Sequence, residues 1–177
     1  MPKNIEVEIR SFIDDEQYQR LRDFFTKYAE LVLEDEQETI YLHNDEDVRL
    51  QRGTFKAKLW MKSGQIHDEA REETEVQFDP LDFDKVLKIF LTLGHRVKIK
   101  WLRHRYQFDW DGISVSLDDT KGYGKIIELE KMCSPKERTA ALELLSQKMH
   151  ALNIPLTPRE EFDRRFREYE RNWHTLV

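Results

Sequence analysis

Cysteine occurs once in this chain, at Cys133, so no disulfide can form within it, and a reducing, cytoplasmic setting is expected. Clustered histidine is absent too. Positions 43, 67, 95, 104, 150 and 174 are scattered, with no HExxH and no Cys/His cluster, which argues against a zinc site. No apolar run approaches membrane-spanning length, and the opening "MPKNIEVEIR" has no apolar core of a secretory leader. A basic excess is missing as well. The net charge of −6 argues against general affinity for nucleic acid backbones. There is no internal repeat and no low-complexity segment.

What the chain does have is charge. Asp, Glu, Lys and Arg make up 36% of its 177 residues, well above the usual quarter, so either the surface or the interior must be unusually polar. The length fits one domain, residues 1–177, with a real core. Three helix starts share one signal: Asp79-Pro80-Leu81-Asp82, Ser134-Pro135-Lys136-Glu137 and Thr157-Pro158-Arg159-Glu160 each set a capping side chain before proline, the last two as capping boxes. The helices that follow carry Phe83, Val86, Leu87, Phe90 and Leu91; Leu142, Leu145, Met149 and Leu152; and Phe162, Phe166, Tyr169 and Trp173. A further helix over about 14–30 presents Tyr18, Leu21, Phe25 and Tyr28. These stripes read as packing surfaces.

Strand-like segments run over about 5–10, 37–43, 47–53, 55–63, 70–78, 97–110, 113–119 and 125–131, several separated by turn signals such as Asn44-Asp45, Ser63-Gly64 and Asp111-Gly112. Short hairpins make the sheet antiparallel. Period-two reading separates charge from grease. In "IEVEIR", Glu6, Glu8 and Arg10 oppose Ile5, Val7 and Ile9; in "FKAKLWMK", Lys56, Lys58, Trp60 and Lys62 oppose Phe55, Ala57, Leu59 and Met61. Arg71, Glu73 and Glu75 fall together, as do Arg103 and Arg105 opposite Tyr106 and Phe108. Ser114, Ser116 and Asp118 oppose Val115 and Leu117, and Glu128 and Glu130 oppose Ile127 and Leu129. Two architectures satisfy this pattern. In one, an ordinary half-exposed sheet turns its charged face to water. In the other, the strands close into a barrel that is charged inside and apolar outside, where helices cover it. Acids beside bases also suit a polyphosphate ligand, with bases on phosphate and carboxylates on a divalent metal.

"IEVEIR" is similar to the ExExK signature of the CYTH superfamily, the triphosphate tunnel metalloenzymes, which includes class IV adenylyl cyclases, thiamine triphosphatases and inorganic triphosphatases. "RHRYQFDWDGISVSLDDTKGYGKIIELE" resembles the family's later signature, a K-x-R-x-x-Y strand followed by v-x-L-D, a glycine-containing turn and E-I-E. "LWMKSG" resembles its L-T-x-K-G strand end, and order and spacing fit across about residues 5–131.

The resemblance implies an α+β fold: a closed eight-stranded antiparallel barrel, or tunnel, with a charged interior and helices packed outside. It implies triphosphate bound with Mg²⁺ or Mn²⁺. Glu6, Glu8, Asp118, Glu128 and Glu130 match the family's acids and are the metal candidates; Glu8 and Arg10, in the first motif, are the catalytic candidates. Arg49, Lys62 and Arg105, with Arg103 in place of the motif's lysine, match phosphate-binding positions, whereas Lys56, Lys58 and Arg71 rest on strand alternation alone. Three positions depart from the pattern: arginine replaces lysine at 10 and 103, and Gln51 stands where a second arginine is common. Arginine grips phosphate in a fixed fork whereas lysine is a movable point charge, so binding is better supported than turnover. The expected function is metal-dependent hydrolysis of an inorganic or organic triphosphate. The alternatives are class IV adenylyl cyclase chemistry, giving cyclic AMP and pyrophosphate, and a non-catalytic polyphosphate or nucleotide binder. The partner is a small-molecule triphosphate or nucleotide, with neither nucleic acid nor membrane involved; a homodimer stays open.

Overall fold

The computed structural model describes residues 5–62 and 73–177. Strand β1 (Ile5–Ile13) leads into α1 (Asp15–Tyr28), whose start is fixed reciprocally: the Asp14 carboxylate accepts the Gln17 N–H, and the Gln17 side chain accepts the Asp14 N–H. Then follow β2 (Glu30–Leu42), β3 (Asp47–Arg52), β4 (Ala57–Lys62), β5 (Glu73–Phe78), α2 (Phe83–Thr92), β6 (Val97–Trp110), β7 (Ile113–Thr120), β8 (Gly124–Cys133), α3 (Arg138–Ala151) and α4 (Arg159–Leu176). No described helix is long and apolar enough to cross a membrane.

The strands form one eight-stranded antiparallel sheet in the order β1-β8-β7-β6-β2-β3-β4-β5. This corrects the expectation of a closed barrel. Among the described residues β1 and β5 end the sheet, and neither pairs with the other. At one point on the outer edge of β1 the Phe12 N–H, which a neighbouring strand could otherwise accept, donates to Thr157 Oγ1 at 3.0 Å. An edge donor so engaged cannot pair with another strand. Thr157 was expected to cap α4. Its hydroxyl instead meets Ser11 Oγ at 2.8 Å, and its own N–H donates to Ser11 Oγ at 3.0 Å. Ser134 caps as its sequence predicts, with Glu137 Oε2 accepting both its N–H and its hydroxyl. We expect Thr157→Val to cost about 1 kcal/mol, the scale of a hydrogen bond plus an orphaned donor, read as a lower urea midpoint.

The chain divides into two compact units, Met1–Glu34 with His104–Phe166, and Asp35–Arg103 with Arg167–Val177. In the first unit the apolar halves of β1, β7 and β8 (Val7, Ile13, Val115, Leu117, Ile127 and Leu129) pack on Leu21 and Phe25 of α1 and Leu145 and Met149 of α3. Leu142, expected on the buried stripe of α3, is exposed instead, with Ala141 inward. In the second unit Ile40, Leu42, Val48, Leu50 and Ala57 pack on Phe83 of α2, with Leu59, Met61, Val86, Leu87 and Phe90 around them. The apolar strand faces therefore meet helices in both units, as period two requires.

Asp35, which no sequence signal marked, is buried in the second unit. Its Oδ1 accepts the Thr54 N–H at 2.7 Å and its Oδ2 the Gln37 amide at 3.2 Å. A Cβ on Gly53 would lie 2.0 Å from Asp35 Oδ2. Because that carboxylate is short and bonded on both oxygens, it has little room to retreat. Gly53→Ala is expected to destabilise by about 1–3 kcal/mol, as overpacking does, measured as a fall in Tm.

Candidate functional site

In the first unit, Glu6, Glu8 and Arg10 lie on the face of β1 opposite its core residues, as alternation predicts. The ladder then sets their neighbours. Glu8 is the register partner of Glu130, and Arg10 of Glu128; on β7, Ser114 pairs with Glu130 and Ser116 with Glu128. Like charges directly opposite one another are destabilising, so a Glu8–Glu130 pair is costly unless something positive comes between. Glu6, Glu8 and Arg10 are exposed, Glu128 and Glu130 are half-buried, and Asp118 is buried.

The electrostatics follow from this crowding. Desolvation raises the Glu130 carboxyl from its ordinary range to about 7, and the charges of Glu6, Glu128 and Glu8 add to it. Desolvation also raises Glu128; Glu8 and Asp118 reinforce the shift, while Arg105 and Arg10 oppose it. Burial alone would lower the Arg105 pKa, but the hydrogen bond and charge of Asp118 hold it above the ordinary value. Arg105 Nε and one terminal nitrogen each reach a separate Asp118 oxygen at 2.7 Å, a fork-to-fork pair. Asp118 and Arg105, expected as metal ligand and phosphate binder, are thus bonded to each other. Glu6, Glu8, Glu128 and Glu130 have no ion pair with any described residue.

The bases of the second unit are differently placed. Arg49 forks onto Asp47, with Nε 2.7 Å from Oδ1, and its guanidinium lies 4.3 Å over the Tyr41 ring. Lys58 pairs with Glu75 at 2.9 Å and lies 4.5 Å over Trp60; the Lys58 hydrogen bond holds the Glu75 carboxyl below the usual range. Arg103 donates to Gln37 Oε1, with Nε at 3.1 Å. Gln51, standing where a second arginine is common, donates to Thr39 at 3.0 Å. Lys56 is corrected from a strand face to the exposed β3–β4 turn, where its carbonyl accepts the Gly53 N–H at 2.9 Å. Arg71 and the Lys62 side chain lie outside the described residues.

A CYTH domain model matches residues 4–166. The chain belongs to the CYTH domain family. A Methanocaldococcus jannaschii protein named "Putative adenylate cyclase" is 31% identical over 160 residues, which span 85% of this chain and 90% of that one. A Pyrococcus horikoshii structure is 25% identical with a TM-score of 0.69, covering 88% of this CYTH chain and 94% of its own. A Vibrio parahaemolyticus structure, titled as that of a putative adenylate cyclase, shares the fold at 16% identity, with a TM-score of 0.62 over 88% and 95% of the two chains.

Whether this CYTH chain's acids suit Mg²⁺ or Mn²⁺ turns on donor chemistry. Carboxylate oxygens are the hard donors both ions prefer, and the four glutamates, none in an ion pair with a described residue, supply them. Among the described residues no three His, Cys, Asp or Glu side chains are grouped to hold an ion alone. An ion at this site would be held by one or two carboxylates together with substrate phosphates and water, as Mg²⁺ commonly is. The donor set fits.

The partners missed from sequence were Asp47, Gln37 and Phe162. Asp47 was findable, since it lies two residues before Arg49 on one strand face. Gln37 comes from a distant segment and carried no local mark, and Phe162 was legible only as part of the packing stripe of its helix.

Proposed function

We propose that this protein binds a small triphosphate-containing molecule together with Mg²⁺ or Mn²⁺ and hydrolyses a phosphoanhydride bond. The observation that carries the reading is the row Glu8–Glu130 beside Arg10–Glu128: four glutamates with Glu6, none ion-paired with a described residue, next to an arginine equally without an ion pair. Membership of the CYTH family supports a triphosphate-related function.

In this reading one or two of Glu6, Glu8, Glu128 and Glu130, together with substrate phosphate, would hold the cation, which when bound would supply charge neutralisation and polarise phosphoryl oxygens. Arg10 takes phosphate oxygens through its open fork. Arg105, with two nitrogens committed to Asp118, is held rigidly and offers its remaining N–H groups. Asp118 therefore orients Arg105. Glu8, exposed beside the cation site, is the group we assign to position the attacking water. Little covalent chemistry is asked of the protein, because positioning and electrostatic stabilisation dominate phosphoryl transfer.

A second reading, cyclisation of ATP to cyclic AMP and pyrophosphate, is favoured by the name of the relative at 31% identity. Incubation with tripolyphosphate, thiamine triphosphate or ATP, each with Mg²⁺ or Mn²⁺, separates the two. Orthophosphate release is expected. Cyclic AMP with pyrophosphate would replace the first reading by the second, and binding without turnover would leave only a polyphosphate binder.

A further inference from the structure

Arg10 lies among carboxylates yet pairs with none of the described ones. Glu128 is its ladder partner, and Glu8 is two residues away on the same strand face. Its guanidinium carbon instead lies 4.7 Å from the centroid of the Phe162 ring on α4. Phe162 is only 6% exposed, and its ring stacks on Phe12 at 4.5 Å and 27°. The Arg165 guanidinium lies 4.1 Å from the Phe12 ring centroid, and Arg165 Nε donates to Glu161 at 2.7 Å. Successive contacts thus link Arg165, Phe12, Phe162 and Arg10. Its place along β1 is fixed independently. Ser11, adjacent to Arg10, donates to the Pro155 carbonyl at 2.6 Å and accepts the Thr157 N–H at 3.0 Å, which ties the start of α4 to the strand.

We propose that Phe162 is a positioning residue for Arg10: its ring face holds the guanidinium off the neighbouring glutamates, so that the fork stays open for phosphate and the glutamates stay open for the cation. This rests on the proposed triphosphate-binding function. An arginine is attracted both to carboxylates and to an aromatic face; the first would neutralise two halves of the site at once, while the second leaves every N–H in the guanidinium plane free to donate. Arg10 stands where the family motif carries lysine, and a guanidinium over a ring face presents a fixed planar fork of N–H donors that an ammonium lacks. The pairing therefore suits this chain's own departure from the motif.

The test replaces Phe162 with phenylalanines of increasing fluorination, which keep the shape and weaken the negative ring face. Calorimetric titration with tripolyphosphate and Mn²⁺ is expected to show affinity falling stepwise, to about two- to fivefold overall. In an Arg10→Met background the same series should be flat. A second readout needs no ligand: the Arg10 Hε proton resonance, shifted by the ring current, should move back in Phe162→Leu. A flat series in the wild-type background, or equal falls in both backgrounds, would overturn the proposal. If the wild-type protein bound no tripolyphosphate while the ring-current shift persisted, the functional reading would fall and the role of Phe162 in binding with it. If tripolyphosphate bound but no ring-current shift were seen, the positioning alone would fall.

Discussion

An Arg105→Ala variant should lose about 3–5 kcal/mol of stability, because it takes the forked guanidinium from the buried Asp118 carboxylate of the first unit. The side chains of Arg105 and Asp118 are 19% and 7% exposed, and two bonds of 2.7 Å join them. Removing one partner takes from a buried charge the two-bond fork that offsets its desolvation, and that loss exceeds the net worth of the pair. Removing both is expected to cost less than Arg105→Ala alone. The Arg105→Ala/Asp118→Ala variant should therefore recover part of the loss, which a double-mutant cycle in urea measures. A loss below about 1 kcal/mol in the single variant would mean that the pair behaves as an exposed one.

The second large effect has the opposite sign. Glu130 titrates near 7 in the folded protein against an ordinary value of 4.5, so the fold binds its proton more tightly than the unfolded chain does. Its contribution is fully present below about pH 4.5 and is lost as pH rises through 7. At pH 8 the ionised side chain works against folding. Glu130→Gln should accordingly stabilise by about 1–2 kcal/mol at pH 8, a figure reduced from the full shift because the group is half-exposed, and by little at pH 4.5. The same variant should weaken Mn²⁺ binding by at least about tenfold, since a hard cation loses a charged oxygen donor. Thermal melts at the two pH values check the first half and calorimetric titration the second. A destabilised variant at pH 8 would show that the four glutamates do not repel one another as their ladder positions require.

Much of this arrangement was legible in the sequence. Alternation in "IEVEIR" and "KIIELEK" put Glu6, Glu8, Glu128 and Glu130 opposite Val7, Ile127 and Leu129, and those apolar residues do meet α1 and α3. Side-chain period in a strand is a local property, so it survives into any fold the strands adopt. The Ser134 cap was legible for the same reason. Thr157 carried an equally good capping signal, but Ser11 and the edge N–H of Phe12 took its hydroxyl. A local preference yields when a distant partner leaves a backbone donor otherwise orphaned.

By itself, then, the sequence determined which faces are apolar, which residue types share a strand face, and the motifs that mark the CYTH family, because each is written within a few consecutive residues. Tertiary structure alone decided pairing: whether the sheet closes, which acid stands opposite which, and which bases are already engaged. Alternation is silent on register, yet the ladder brings Glu8 beside Glu130 and Arg10 beside Glu128. Nor could period two reveal that Asp118 would hold Arg105, Asp47 would hold Arg49, or Phe162 would underlie Arg10. The last of these contacts joins residues 152 positions apart in sequence. Such contacts are made only once the chain has closed long loops, and nothing in the local sequence encodes that closure.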